Sequence, residues 1–257
     1  MTFSEQIVYA MFKPSKYKEL LSLKKKRFVL FASVLSLMLS FVLFVIPSGA
    51  MIAGMGGFEN LFVNQISEMK YTGGELKIKK PFELSLNLTH VLIDTEDEVV
   101  SDEKLGRDGV YLAVGSKTIR MCYVIEHEII EYKLQNLDEL LVEGFDNREL
   151  CKLIPYIYLY MVVYFLINAI SIFIKYALVA LVYSICINSV NMTMNLGLSF
   201  GQVFKLCYYG QTMGIILVNF NAALGLLPEL LVSIIGIFIS VHMITKSTVL
   251  MGKKNQD

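Results

Sequence analysis

Four apolar stretches alternate with polar ones along the chain, and their lengths give the first expectations. Residues 28–46 run for 19 positions without a charge, enough at about 1.5 Å per residue to cross a hydrocarbon layer of about 30 Å. Residues 154–190 are apolar for 37 positions, broken mainly by Asn168, Lys175 and Asn188. As one helix they span about 55 Å, more than a bilayer is thick. No Gly or Pro lies between Tyr156 and Val190, which favours one long helix over two. Lys175 is then expected to reach toward the cytoplasmic side. Residues 207–224 and 230–248 are the last two apolar segments, and Gly225 and Pro228 supply the turn between them.

The intervening stretch reads differently. From Pro47 to Lys152 short β-type runs alternate with turns and charges. A hairpin is predicted about Gly73-Gly74, because such a turn needs positive φ. Further strands are predicted over residues 91–94, 110–114, 118–124 and 128–134. Residues 137–142 look helical, and Asp146 is placed to cap the helix entering the second span. Residues 51–57 read equally as a linker or as a continuation of the first helix.

These patterns predict a membrane protein: a four-helix α-helical transmembrane bundle with an inserted extracytoplasmic α+β domain. In order, the parts are a cytoplasmic amphipathic basic arm (1–27), transmembrane helix 1 (28–46), the extracytoplasmic domain (47–152), a long transmembrane helix 2 (153–190), a cytoplasmic interfacial loop (191–206), transmembrane helices 3 (207–224) and 4 (230–248), and a cytoplasmic tail (249–257). A cleaved signal peptide is the rival reading of residues 28–46, but the stretch exceeds a usual signal core and a long segment precedes it.

Charge sets the orientation. The chain has 257 residues and no net charge, with mean hydropathy +0.56, which argues against a soluble domain. Residues 47–152 hold 11 basic and 19 acidic side chains, and the remainder holds 12 and 4. Lys13, Lys16, Lys18, Lys24, Lys25, Lys26 and Arg27 precede the first span, so the N-terminus is expected in the cytoplasm. Four spans return the C-terminus to the same side, where Lys246, Lys253 and Lys254 agree. The same basic cluster can bind anionic lipid. Within the arm, Thr2 and Glu5 match a capping box, the following helix groups Ile7, Val8, Met11 and Phe12, and Ser15 is placed to cap a second short helix.

Candidate chemistry is sparse. His127-Glu128-Ile129-Ile130-Glu131 begins like a zinc motif but has Glu131 where the second His belongs. His90 and His242 are isolated. Asp94, Glu96, Asp97, Glu98, Asp102 and Glu103 form an acidic run that lacks calcium-loop spacing and reads as a solvated loop. Asn87-Leu88-Thr89 is a glycosylation sequon to which no role is attached. Cys122 and Cys151 both fall in the outer domain, where a bridge is chemically permitted. Asn168, Lys175, Asn188, Gln211, Asn219 and Asn221 lie within or beside spans and are expected to bond across helices. No catalytic, metal or cofactor site is predicted.

Several short segments, in this order, carry a likeness to known proteins: Phe12-Lys13-Pro14-Ser15, Tyr71-Thr72-Gly73-Gly74-Glu75-Leu76, Val91-Leu92-Ile93-Asp94-Thr95, Ser199-Phe200 and Tyr208-Tyr209-Gly210-Gln211-Thr212. The chain resembles a family of bacterial multi-pass membrane proteins of unknown function, some of which are called maltodextrin utilization proteins. That family's bundle is distantly similar to Yip-type membrane proteins. The resemblance implies a Gram-positive plasma membrane and association with a sugar-uptake system, and it supplies no active residue. The expected function is a non-enzymatic accessory or scaffold protein with a bilayer and a membrane-protein partner, such as a sugar transporter, and no nucleic acid. A small oligomeric transporter or channel is the alternative.

Overall fold

The computed structural model describes residues 1–86, 89–126 and 128–253. The sequon residues Asn87 and Leu88, His127 and the tail from Lys254 onward lie outside the described residues. The helices are α1 (Phe3–Phe12), α2 (Tyr17–Leu21), α3 (Lys25–Ser40), α4 (Ile46–Gly54), α5 (Gly57–Asn60), α6 (Asn147–Lys152), α7 (Ile154–Thr193), α8 (Phe200–Gly210), α9 (Thr212–Leu224) and α10 (Glu229–Lys253). Between α5 and α6 come β1 (Met69–Thr72), β2 (Glu75–Ile78), β3 (Phe82–Leu86), β4 (Thr89–Ile93), β5 (Gly109–Val114), β6 (Thr118–Ile125) and β7 (Glu128–Asn136). The chain divides into a helical unit, Met1–Ala50 with Tyr160–Asp257, and a sheet unit, Met51–Leu159.

Among the described residues three helices are long and apolar enough to cross a membrane: Lys25–Gly54, Asn147–Thr193 and Glu229–Gly252. The first runs through Pro47, whose ring would clash with a carbonyl one turn back in a regular α-helix. A wide π-turn over Phe41–Val45, closed by Ile46 N–H donating to Phe41 O, sits just upstream. The helix then continues through residues 51–54, which the sequence left open.

The expected four-helix bundle needs correction at its third member. Residues 207–224 are not one helix: α8 and α9 are separated at Gln211, and α9 alone has 13 residues, about 20 Å. Nor are residues 191–206 a loop, because α7 extends to Thr193 and α8 begins at Phe200. A capping box starts α8: Gln202 Oε1 accepts from Ser199 N–H at 2.9 Å and from its hydroxyl at 3.0 Å.

Residues 1–27 also differ from a surface arm. Ala10, Tyr17, Leu20 and Leu21 belong to one core with Phe28, Phe31, Tyr209 and Ile244. A buried side chain of this size contributes about 1.5–3 kcal/mol. The capping box at Thr2 and Glu5 is present, but the buried stripe of α1 is Gln6 and Ala10, while Val8 and Phe12 are exposed. The reason is steric and polar together. Ala10 is small enough for the Tyr17 hydroxyl to donate to its carbonyl at 2.5 Å, and Gln6 Oε1 accepts from the Tyr209 hydroxyl at 3.3 Å. Ser15 caps nothing, since Pro14 opens a 3₁₀ turn and Lys16 precedes α2.

In the sheet unit β1 and β2 form the hairpin about Gly73 and Gly74, both at positive φ. The five-stranded sheet has the order β3-β4-β5-β6-β7, antiparallel except for the β4–β5 pair. One face is packed by Val100 and Leu105 of the β4–β5 crossover against Leu92, Tyr111, Ala113, Cys122 and Val124. On the other face Tyr71 and Leu76 of the hairpin pack with Ile93 and Leu137. Residues 137–142 hold only a 3₁₀ turn, Leu137–Glu139. Asp146 accepts from the N–H groups of Arg148 and Glu149 and so caps α6. Cys122 and Cys151 are free thiols: Cys122 is fully buried in the sheet core, so no bridge joins them.

Candidate functional site

Among the described residues, five of the six carboxylates of the acidic run pair within the sheet unit, all but Glu103. Lys104 Nζ lies 2.7 Å from Asp94 Oδ2, 3.2 Å from Asp97 Oδ2 and 3.3 Å from Glu96 Oε2. Burial would raise the Asp94 carboxyl, but hydrogen bonds from Lys104 and from the Glu96 amide outweigh it and hold its pKa below the usual value. The Lys104 ammonium moves up, chiefly through its bond to Asp94. Glu98 pairs with Lys117. Arg120, on the core-facing register of β6, donates to Val100 O at 3.1 Å and Asp102 Oδ1 at 2.6 Å from Nη1, and to Glu131 Oε2 at 3.0 Å from Nε. These bonds tie the crossover to the sheet, while Glu96, Asp97, Glu98, Asp102 and Glu103 stay exposed as in a solvated loop and only Asp94 of the run is buried. At the crossing point a Cβ on Gly115 would stand 2.5 Å from Glu98 O.

The other sheet face carries an apolar strip. Met121, Tyr123 and Ile125 alternate on β6, and Ile130 lies opposite Tyr123 on β7. Met121, Ile125 and Ile130 are 44%, 42% and 50% exposed. The strip lies beside the part of the face that the hairpin covers, which is built on Val114 and Ile119.

Most buried polar side chains of the helical unit bond to backbone, and a few to one another. Ser40 Oγ donates to Phe165 O at 2.9 Å and accepts from Asn168 Nδ2 at 3.1 Å. Asn219 Nδ2 bonds the Tyr176 hydroxyl at 2.6 Å. Asn191 and Asn221 each use both amide atoms to close a turn, on the backbone of Leu198 and Leu227 respectively. Asn188 Oδ1 accepts from Asn191 at 3.5 Å. Gln211 is the exception. Its Nε2 donates to Tyr176 O at 2.7 Å, yet Oε1 is the one buried side-chain N or O atom without a partner among the described residues.

Gln211 is also among the residues that line a groove of about 180 Å³, with Lys175, Tyr176, Ser233, Ser240 and apolar side chains. Close helix approach forms its floor. A Cβ on Gly214 would collide with Gly236 O and Ser240 Oγ, and one on Gly210 with Ile244. The sequence signal for this contact is small residues four apart, Gly210 with Gly214 and Gly236 with Ser240, which the reading of polar residues alone passes over. Arg120 was missed too; its signal is a charge on the buried register of an alternating strand.

Of the described histidines, His90 belongs to the sheet unit and His242 to the helical unit. His90 is buried, with Nδ1 3.0 Å from Ser85 Oγ and Nε2 3.3 Å from Asp108 O, stacked on Tyr111. His242 is exposed on α10. Among the described residues no three His, Cys, Asp or Glu side chains could hold a metal ion.

Fold and site together define a mostly helical protein with three helices of membrane-crossing length and a separate β-sheet unit. Residues 5–248 match the family model described as "Protein of unknown function (DUF1189)", and the chain belongs to that family. No curated protein and no solved structure matches it.

Proposed function

We propose that this chain is an integral membrane accessory protein without enzymatic activity, anchored by its apolar helices and docking a membrane-protein partner through the sheet unit. The observation that carries the reading is the strip of Met121, Ile125 and Ile130, exposed on the sheet face beside the part that the hairpin covers. Basic residues at the start of Lys25–Gly54 support a cytoplasmic N-terminus with the sheet unit outside. Both termini are then cytoplasmic. A carbohydrate-uptake complex is the partner class, on the strength of the family resemblance.

The bonds of Asn168 to Ser40, of Asn219 to Tyr176, and of Asn191 and Asn221 to backbone favour docking over a small transporter, because those groups serve as links within the helical unit. Extraction in mild detergent tests the reading. Wild-type protein is expected to carry a stoichiometric partner that Met121→Ser with Ile130→Ser loses. Repeated recovery of the wild-type chain alone contradicts it, as does solute flux from reconstituted liposomes that Asn219→Leu abolishes.

A further inference from the structure

Along one side of α3 two hollows join end to end. The first, of about 460 Å³, is lined by Lys25, Lys26, Val29, Leu30 and Ser33. The second, of about 390 Å³, continues from Ser33 to Ser36 and Leu37. Its other wall belongs to α7, with Leu166, Ala169, Ile170 and Phe173. Ser33 lines both hollows, so one groove runs from the first turn of α3 to the fourth.

Small side chains at Ser33, Ser36 and Ala169 leave this space between the two helices. Ser33 and Ser36 are the polar side chains of the inner hollow, and Ser36 Oγ already donates to Ala32 O at 2.9 Å. The rest of that hollow is aliphatic or aromatic. Leu30 and Ile170 on the walls are 55% and 59% exposed, so apolar surface lies open along the groove.

Charge sits at one end only. Lys16 of the basic cluster pairs with Glu19, whereas Lys25 and Lys26 are exposed and enter no ion pair among the described residues. No carboxylate lines either hollow. An occupant must therefore bring an anion to the first turn of α3 and hydrocarbon to the rest. A partner's apolar helix would fill the inner hollow but leave both ammonium groups unmet.

Depth agrees with a lipid. The charge-free run begins at Phe28, so Lys25 and Lys26 stand at headgroup level. From Lys26 to Ser36 the helix rises about 15 Å, half of a hydrocarbon core of about 30 Å. The groove is thus as long as the acyl region of one leaflet.

We propose that this groove seats one anionic phospholipid of the cytoplasmic leaflet. Its phosphate meets Lys25 and Lys26, and one acyl chain passes Val29, Leu30 and Ser33 into the slot between α3 and α7. General attraction of anionic lipid would spread over all seven cations ahead of the first span; the groove singles out two. The inference rests on the proposed embedding of α3 and α7 in a bilayer with the lysines on the cytoplasmic side, and is independent of the docking partner.

The test uses native mass spectrometry of the full chain, purified from membranes in mild detergent and titrated with dioleoyl phosphatidylglycerol or dioleoyl phosphatidylcholine. Wild-type protein is expected to bind one phosphatidylglycerol roughly ten-fold more tightly than one phosphatidylcholine. Lys25→Gln with Lys26→Gln should bring that preference to about two-fold or less, while Lys13→Gln with Lys18→Gln, which removes the same charge, should leave it within about two-fold of wild type. Ser33→Phe, which fills the junction of the hollows, should weaken binding of both lipids and keep the preference. Equal binding of the two lipids to wild-type protein overturns the proposal whether or not any variant folds. So does equal loss of preference in the two lysine pairs, the mark of diffuse attraction, and so does unchanged lipid binding in Ser33→Phe. A second copy of the chain or another polypeptide that stays on wild-type protein and leaves with Ser33→Phe would make the groove a helix-docking site and also overturns it. Binding of neither lipid by protein recovered from the membrane fraction contradicts the groove and leaves the bilayer reading intact. Recovery of the chain in the soluble fraction contradicts both.

Discussion

Single residues decide how tightly the sheet unit is tied. Gly115 admits no side chain, because its Cβ would meet the Glu98 carbonyl, whose backbone also accepts from Lys117 N–H at 3.3 Å. Gly115→Ala must therefore shift the crossover, at about 1–3 kcal/mol, and its thermal unfolding midpoint is expected to fall below that of wild type. An unchanged midpoint would mean that the crossover yields freely. Asp94 gives a dependence on acid. Its folded-state pKa lies below the ordinary value of 3.8, so its contribution is complete above that value and is lost as pH falls through the depressed one. Asp94→Asn should flatten the acid limb of the stability curve, measured by chemical unfolding between about pH 5 and 2; an identical limb would show that Lys104 confers nothing through Asp94.

At the scale of elements, helix ends and helix contacts obey different rules. Ser199→Ala removes the capping box of α8 and is expected to cost about 1 kcal/mol, read as a lowered unfolding midpoint. Gly201, inside the same helix, has nothing within 4 Å of an added Cβ, so Gly201→Ala should match or exceed wild-type stability. Gly214→Ala, equal in helix propensity, is expected to destabilise because it pushes α9 from α10. Should the two glycine variants behave alike, close packing of these helices would be refuted.

Elements with strong local signals were legible in the chain. The double-glycine hairpin, the Thr2–Glu5 box and the Asp146 cap each depend on neighbours within a few residues. Strand β3 was not, because Phe82-Glu83-Leu84-Ser85-Leu86 is short and gains its identity only from pairing with β4. The break at Gln211 was hidden inside a continuous apolar run. Gln6 lies outside the face expected of α1, and its burial depends on a partner some 200 residues away, the Tyr209 hydroxyl. Of the groove, the polar members could be named from the chain, but that Gln211 alone keeps an unmet acceptor depends on tertiary geometry.

For the whole molecule, the proposed topology puts basic N-terminal residues on the cytoplasmic side, apolar helices through the bilayer, and the sheet unit beyond it. The most direct test labels single cysteines with a membrane-impermeant maleimide in a background lacking the four native ones. Lys133→Cys, exposed on β7, and Ser15→Cys, exposed in the N-terminal segment, are the two positions. The account predicts that Lys133→Cys reacts in intact cells and Ser15→Cys only after permeabilisation. Labelling of Ser15→Cys in intact cells with Lys133→Cys protected would contradict it.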